Sequence, residues 1–198
     1  MRQGWTSRLS DKPGTGWRNM DKQSNLDDIK NLREAFAERS RERDKMFPLK
    51  SLNEWLSEQR ESETKSDWAV AFSAFPLPSF IEITACVSFS NDDSTASLNW
   101  ERREGVVGID AEQMRSRTKL EQGCVSIQCQ KLKELRSAVT KVWTSGAANL
   151  RQECYDGMPV QFVILSGDET STESHCNIAD PGQEPVRVLA RLLVALLP

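Results

Sequence analysis

The chain has a single histidine among 198 residues, no apolar run of membrane-spanning length and no glycine-rich phosphate loop. Each absence narrows the range of functions. Histidine is the side chain that most often shuttles protons near neutral pH. Here only His175 is present, and it stands beside Cys176 in an alternating segment, where neighbours point to opposite faces. The two cannot form a Cys–His pair. His175 and Cys154 remain as enzyme candidates by elimination only, and both are expected to be structural; no catalytic residue is assigned.

Membrane spanning needs about 20 consecutive apolar residues. The longest candidate, Val186 to Leu197, is shorter and is broken by Arg187 and Arg191, so it reads as a core helix. Gly105 and Gly108 lack a third glycine and a following apolar helix, which leaves nucleotide cofactors without support. Five cysteines are present: Cys86, Cys124, Cys129, Cys154 and Cys176. Cys124 and Cys129 are too far apart for a tight metal-binding pair and no second pair exists, so no metal or other cofactor is expected. The opening residues are polar and lack an apolar h-region, so no signal peptide is expected. An odd number of free thiols suits a reducing cytoplasm. There is no internal repeat and no low-complexity segment.

Hydrophobic residues make up 38% of the chain and charged residues 28%, with a net charge of −3. That balance disfavours non-specific nucleic-acid binding. The charge is divided: residues 1–65 hold 14 Lys and Arg against 12 Asp and Glu, whereas residues 144–198 hold 3 against 7. Core-forming side chains are concentrated after residue 66. Three regions are therefore expected: a flexible arm over 1–22, a charged helical extension over 23–65, and an α+β domain over 66–198.

Helical spacing over 24–46 carries a narrow stripe of Leu26, Ile29, Leu32 and Phe36, after which mixed charges take over until Pro48. Ser51 is an N-cap candidate for a short helix through Leu52, Trp55 and Leu56. Trp68, Val70 and Phe72 alternate as a strand. Ile81, Ile83, Ala85, Val87 and Phe89 form one face of the clearest strand, with Glu82, Thr84, Cys86 and Ser88 on the other. A turn at Asn91–Ser94 leads to Ala96, Leu98 and Trp100 on the return. Val106-Val107 is a short strand or bulge, and residues 110–120 have no clear pattern. Val125, Ile127 and Cys129 read as a strand entering a helix with Leu132, Leu135, Val139 and Val142 on one face. A turn at Asp156-Gly157 opens a hairpin over 158–178, and Pro185 begins the closing helix. The expected architecture is α+β: an antiparallel sheet of about five to six strands with helices packed on one face, preceded by the charged helical region.

The order of strand, helix, Tyr155-Asp156-Gly157, two strands, Asn177, Pro181 and the Leu189–Leu197 helix resembles small bacterial α+β proteins of the immunity type over roughly residues 122–197. Such proteins neutralise secreted toxins by direct binding. The resemblance rests on turn and core positions and carries over no functional residue. It implies a non-catalytic binding protein with a protein partner such as a toxin or effector. The chain is expected to be a cytoplasmic monomer or homodimer, and its acidic C-terminal part suits a partner with a basic surface. From the residues themselves, the expected contacts are Trp5 and Trp17 in the arm with Asp168, Glu169, Glu173, Asp180 and Glu184 along an acidic edge. The alternative is a secretion chaperone or adaptor, which would offer an apolar groove to an extended client.

Overall fold

The computed structural model describes residues 17–62, 66–75, 81–90, 94–105, 110–127, 129–145, 158–171, 173–177 and 184–198. Among these, five helices and seven strands follow in the order α1 (Trp17–Met46), α2 (Leu52–Glu61), β1 (Trp68–Ala74), β2 (Ile81–Phe89), β3 (Ala96–Glu104), α3 (Ala111–Arg117), β4 (Lys119–Ile127), α4 (Cys129–Thr144), β5 (Pro159–Ser166), β6 (Glu169–Thr170), β7 (Ser174–Asn177) and α5 (Pro185–Val194). The strands form one antiparallel sheet in the order β4-β3-β2-β1-β5-β6, with β7 also paired to β5. The α+β class and the antiparallel sheet are those expected, and β6 is a two-residue addition.

The two hairpins are joined by β1. It pairs with β2 from Ala69↔Ser88 to Ala74↔Ile83 and with β5 from Trp68↔Ser166 to Ala74↔Val160. β1 is paired on both sides and covered on both faces, so Ala69, Val70, Ala71 and Phe72 are all fully buried.

On the first face, Val70, Phe72, Ala85, Val87, Leu98, Phe162 and Ile164 meet α4 and α5. Leu132, Leu135, Val139 and Val142 supply the apolar side of α4, and Val186, Leu189, Ala190 and Leu193 that of α5. Trp68 meets Trp143 edge to face with centroids 5.6 Å apart, and the Arg136 guanidinium lies 4.9 Å above the Trp68 ring.

The second face is closed by α2. Its Trp55 and Leu56 pack on Ala69, Ala71, Cys86, Val163 and Leu165, with Leu52 at the margin. The start of α2 is set by a capping box: the Ser51 hydroxyl accepts from the Glu54 N–H at 3.2 Å and the Glu54 carboxylate accepts from the Ser51 N–H at 2.6 Å. These contacts draw the Glu54 carboxyl below its ordinary range. The helix anticipated from Ser51 onward is thus part of the packed unit.

Several boundaries differ from the sequence reading. α1 begins at Trp17 because nothing between Gly16 and Pro48 breaks a helix, so its first six residues occupy positions assigned to the arm. β3 runs on through Glu104 and β4 begins at Lys119, so their charged halves are strand as well. Cross-strand pairing overrides the poor local pattern there. Cys129 starts α4 and is not the end of a strand. The ambiguous stretch after residue 110 holds α3, with the Asp110 side chain accepting from the Gln113 N–H at 2.8 Å. α5 ends at Val194. Val106-Val107, the Asp156-Gly157 turn and the Asn91–Asp93 part of the turn lie outside the described residues.

Candidate functional site

The second face of the sheet changes from apolar to charged toward the Glu82 end of β2. Strand alternation turns Glu82 and Thr84 to this face, and the register sets Arg103 of β3 directly beside Glu82. The last turns of α1 bring Arg43 and Asp44 over them. Arg43 donates to one oxygen of the Glu82 carboxylate and Arg103 to the other. Asp44 Oδ1 sits 2.8 Å from Arg103 Nη2 and 3.7 Å from Arg43 Nη2. Arg103 Nη1 also donates to the Phe47 carbonyl at 2.7 Å. Arg43 and Arg103 are only 4% and 5% exposed. Charges this deep require opposite charges in contact. Two cations and two anions cancel, and the cluster fastens α1 to β2 and β3.

The polar seam continues toward α2. The Lys50 N–H donates to Glu101 Oε2 at 2.8 Å, and its ammonium lies 2.8 Å from Glu58 Oε1 and 4.3 Å above the Trp55 ring. The Trp55 indole donates to Thr84 Oγ1 at 3.3 Å. Beside the seam lies a cavity of about 510 Å³ whose wall includes Asp44, Glu82, Thr84 and Arg103 on one side and Leu52 and Phe75 on the other. Its charged groups are already spent on one another, so the cavity offers shape and hydrogen bonding without a free net charge.

The acidic residues chosen from the sequence occupy a different place. Asp168 in the β5–β6 turn, Glu169 in β6 and Glu173 just before β7 are exposed along the outer side of β5. Glu169 sits opposite Ser166, and Ser174 opposite Phe162, a span of about 13 Å along the strand. The Asp168 carbonyl accepts from Arg60 Nη2 of α2 at 3.1 Å. Glu173 lies 3.2 Å from His175 Nε2. Glu184 belongs to another element, as N-cap of α5, with Arg187 Nη1 3.0 Å away. Trp17 begins α1, its side chain outside the described residues, and Trp5 and Asp180 lie outside them altogether. Three of the seven selected residues are therefore brought to one edge.

Cys86 is sealed beneath α2, and burial pushes its thiol up to about 12. Cys176 is buried and Cys124 exposed on β4, whereas Cys154 lies outside the described residues. His175 is half-buried and Cys176 buried, on opposite sides of β7 as alternation requires. Among the described residues no group of three or more His, Cys, Asp or Glu is placed to hold a metal, and no helix is long and apolar enough to cross a membrane.

Sequence reasoning passed over the Arg43–Glu82–Arg103 cluster. Its signal was present: a carboxylate on the polar side of an otherwise apolar strand needs a cation, and Arg103 alternates onto the same face of the next strand. The contribution from α1, 39 residues before Glu82, has no local signature. Compared with known proteins, the chain matches no family model, no curated protein and no solved structure.

Proposed function

We propose that this protein is a non-catalytic cytoplasmic binding protein that neutralises a partner, a secreted toxin or effector with a basic surface, by covering it as immunity proteins do. The observation that carries this reading is the exposed row of Asp168, Glu169 and Glu173 on the outer edge of the sheet. Those carboxylates stand on the turn and short strands paired to β5, whose other side is locked into β1, so the backbone that carries them is ordered before binding. A row of acids on a rigid edge steers a basic surface into contact and then pairs with it as water leaves.

Capture from the native host with the full-length chain, beside a variant carrying Asp168→Asn, Glu169→Gln and Glu173→Gln, tests the reading. One folded partner should be recovered stoichiometrically, and the neutralised edge should weaken its binding about tenfold or more at low salt. Recovery of no partner, or equal recovery by both proteins, would overturn it.

A second reading, a secretion chaperone, is favoured by the cleft of about 660 Å³ between α4 and α5. Ala138, Pro185, Val188 and Leu192 form its apolar floor and Lys133 and Lys141 its rim. A chaperone would bind an unfolded client segment and lose it on Val188→Asp, whereas an edge-binding inhibitor would bind the folded partner and be indifferent to that change.

A further inference from the structure

The apolar stripe on α1 is left uncovered by the rest of the described fold. From Asp27 to Glu38 every side chain except Ala35 is exposed, and the large apolar residues Ile29, Leu32 and Phe36 are 48%, 70% and 56% exposed. Ile29, Phe36 and Arg43 are seven residues apart and so share one line along the helix. Arg43 is held by Glu82, which sets the rotation of the helix about its axis. The stripe is thus a rigidly oriented apolar surface on a helix of about 45 Å.

We infer that this surface pairs with the same surface of a second copy, the two α1 helices running antiparallel with Leu32 of each against Phe36 of the other. The argument is charge complementarity. An acid, Asp28, borders the start of the stripe and a cation, Arg39, borders its end on the same side of the helix. In the antiparallel register Asp28 comes beside Arg39 of the second copy on the same border of the stripe, and two-fold symmetry repeats the pair. A parallel arrangement sets acid against acid and cation against cation. Antiparallel helix dipoles add to the preference. The two Arg33 side chains flank the two-fold axis on the other border, where long stems can carry their charges outward. This pairing involves neither the acidic edge nor the cleft between α4 and α5, so it stands or falls separately from the proposed function.

Sedimentation of the full-length chain from low to high micromolar concentration provides the test. A concentration-dependent dimer is expected, with Leu32→Asp or Phe36→Asp weakening it at least about tenfold. Asp28→Arg and Arg39→Asp should each weaken it, and the two together should restore it. Arg33→Cys should form a cross-linked dimer under mild oxidation far faster than Glu34→Cys, which points away from the stripe. A monomer at every concentration, a dimer indifferent to Leu32→Asp, no restoration by the charge exchange, or equal cross-linking at positions 33 and 34 would each overturn the pairing. Circular dichroism on the variants distinguishes lost pairing from lost folding, and the charge exchange leaves the apolar stripe intact.

Discussion

Trp100 lies flat across Gly123, its cross-strand partner in the β3–β4 pair: a Cβ added to Gly123 would stand 2.7 Å from the indole. Glycine is unfavourable in a strand by roughly 0.5–1 kcal/mol relative to alanine, so replacing it ordinarily helps. Here the added methyl must displace a large ring, and overpacking of that kind costs about 1–3 kcal/mol. Gly123→Ala should therefore destabilise the protein, and the sign should reverse in a Trp100→Ala background. Urea unfolding of the two single variants and the double variant gives the coupling directly. Additive effects would mean that the indole does not occupy that space.

Glu82 is the shared counter-charge of two buried guanidiniums from different elements. Removing one member of such a cluster leaves the others buried and unpaired, which typically costs 3–5 kcal/mol. Asp44 remains in contact with Arg103, which moderates the loss. Glu82→Ala is expected to cost about 3 kcal/mol, whereas Arg43→Met with Arg103→Met and Glu82→Leu together should cost much less. Chemical denaturation of both proteins checks the contrast; equal losses would mean that the residues matter through packing alone.

The residues differ in how much of this architecture they disclose. Ile81 to Phe89 alternate so regularly that both faces of β2 are legible, down to Glu82 and Cys86 on the side opposite the main core. The helical faces of α4 and α5 are equally plain because each carries a dense apolar stripe. The order of strands is not legible, since nothing in Trp68–Ala74 says that it will pair with both Ile81–Phe89 and Pro159–Ser166. β4 hides for another reason. As an edge strand it is exposed at seven of its nine positions, with Gly123 half-buried and Ile127 buried, so no alternation develops. Of the candidate contacts, Asp168, Glu169 and Glu173 share an edge because a hairpin joins them, whereas Glu184 follows in sequence yet belongs to a helix.

The thiol of Cys86 supplies a pH-dependent term. Its ordinary pKa of 9.0 is raised to about 12 in the folded protein, chiefly by burial, so the folded state retains a proton that the unfolded chain gives up. The associated stability is fully present below pH 9 and is lost as pH rises from about 9 toward 12, at up to about 1.4 kcal/mol per pH unit. Cys86→Ala should flatten that part of the stability profile measured by urea unfolding in alkaline buffers. At pH 8 the exposed Cys124 should react with iodoacetamide while Cys86 and Cys176 stay protected until the protein unfolds, as read by peptide mass mapping. Rapid labelling of Cys86 in native buffer would mean that α2 does not seal the second face.

α2 is a short helix with a small apolar face, so its attachment depends on few side chains. Leu56 is 2% exposed and Trp55 5%. Leu56→Ala removes buried methyl groups and leaves a cavity over Ala71 and Val163, a change that costs about 2–5 kcal/mol in well-packed cores. Ser51→Ala leaves that packing untouched and removes the hydroxyl half of the capping box, at a cost of about 1 kcal/mol. The two substitutions also separate local from global opening. Ser51→Ala should raise hydrogen exchange chiefly in the first turn of α2, whereas Leu56→Ala should raise it across α2 and expose Cys86 to labelling. If Leu56→Ala left both the unfolding midpoint and Cys86 protection unchanged, the closure of the second face by α2 would be refuted.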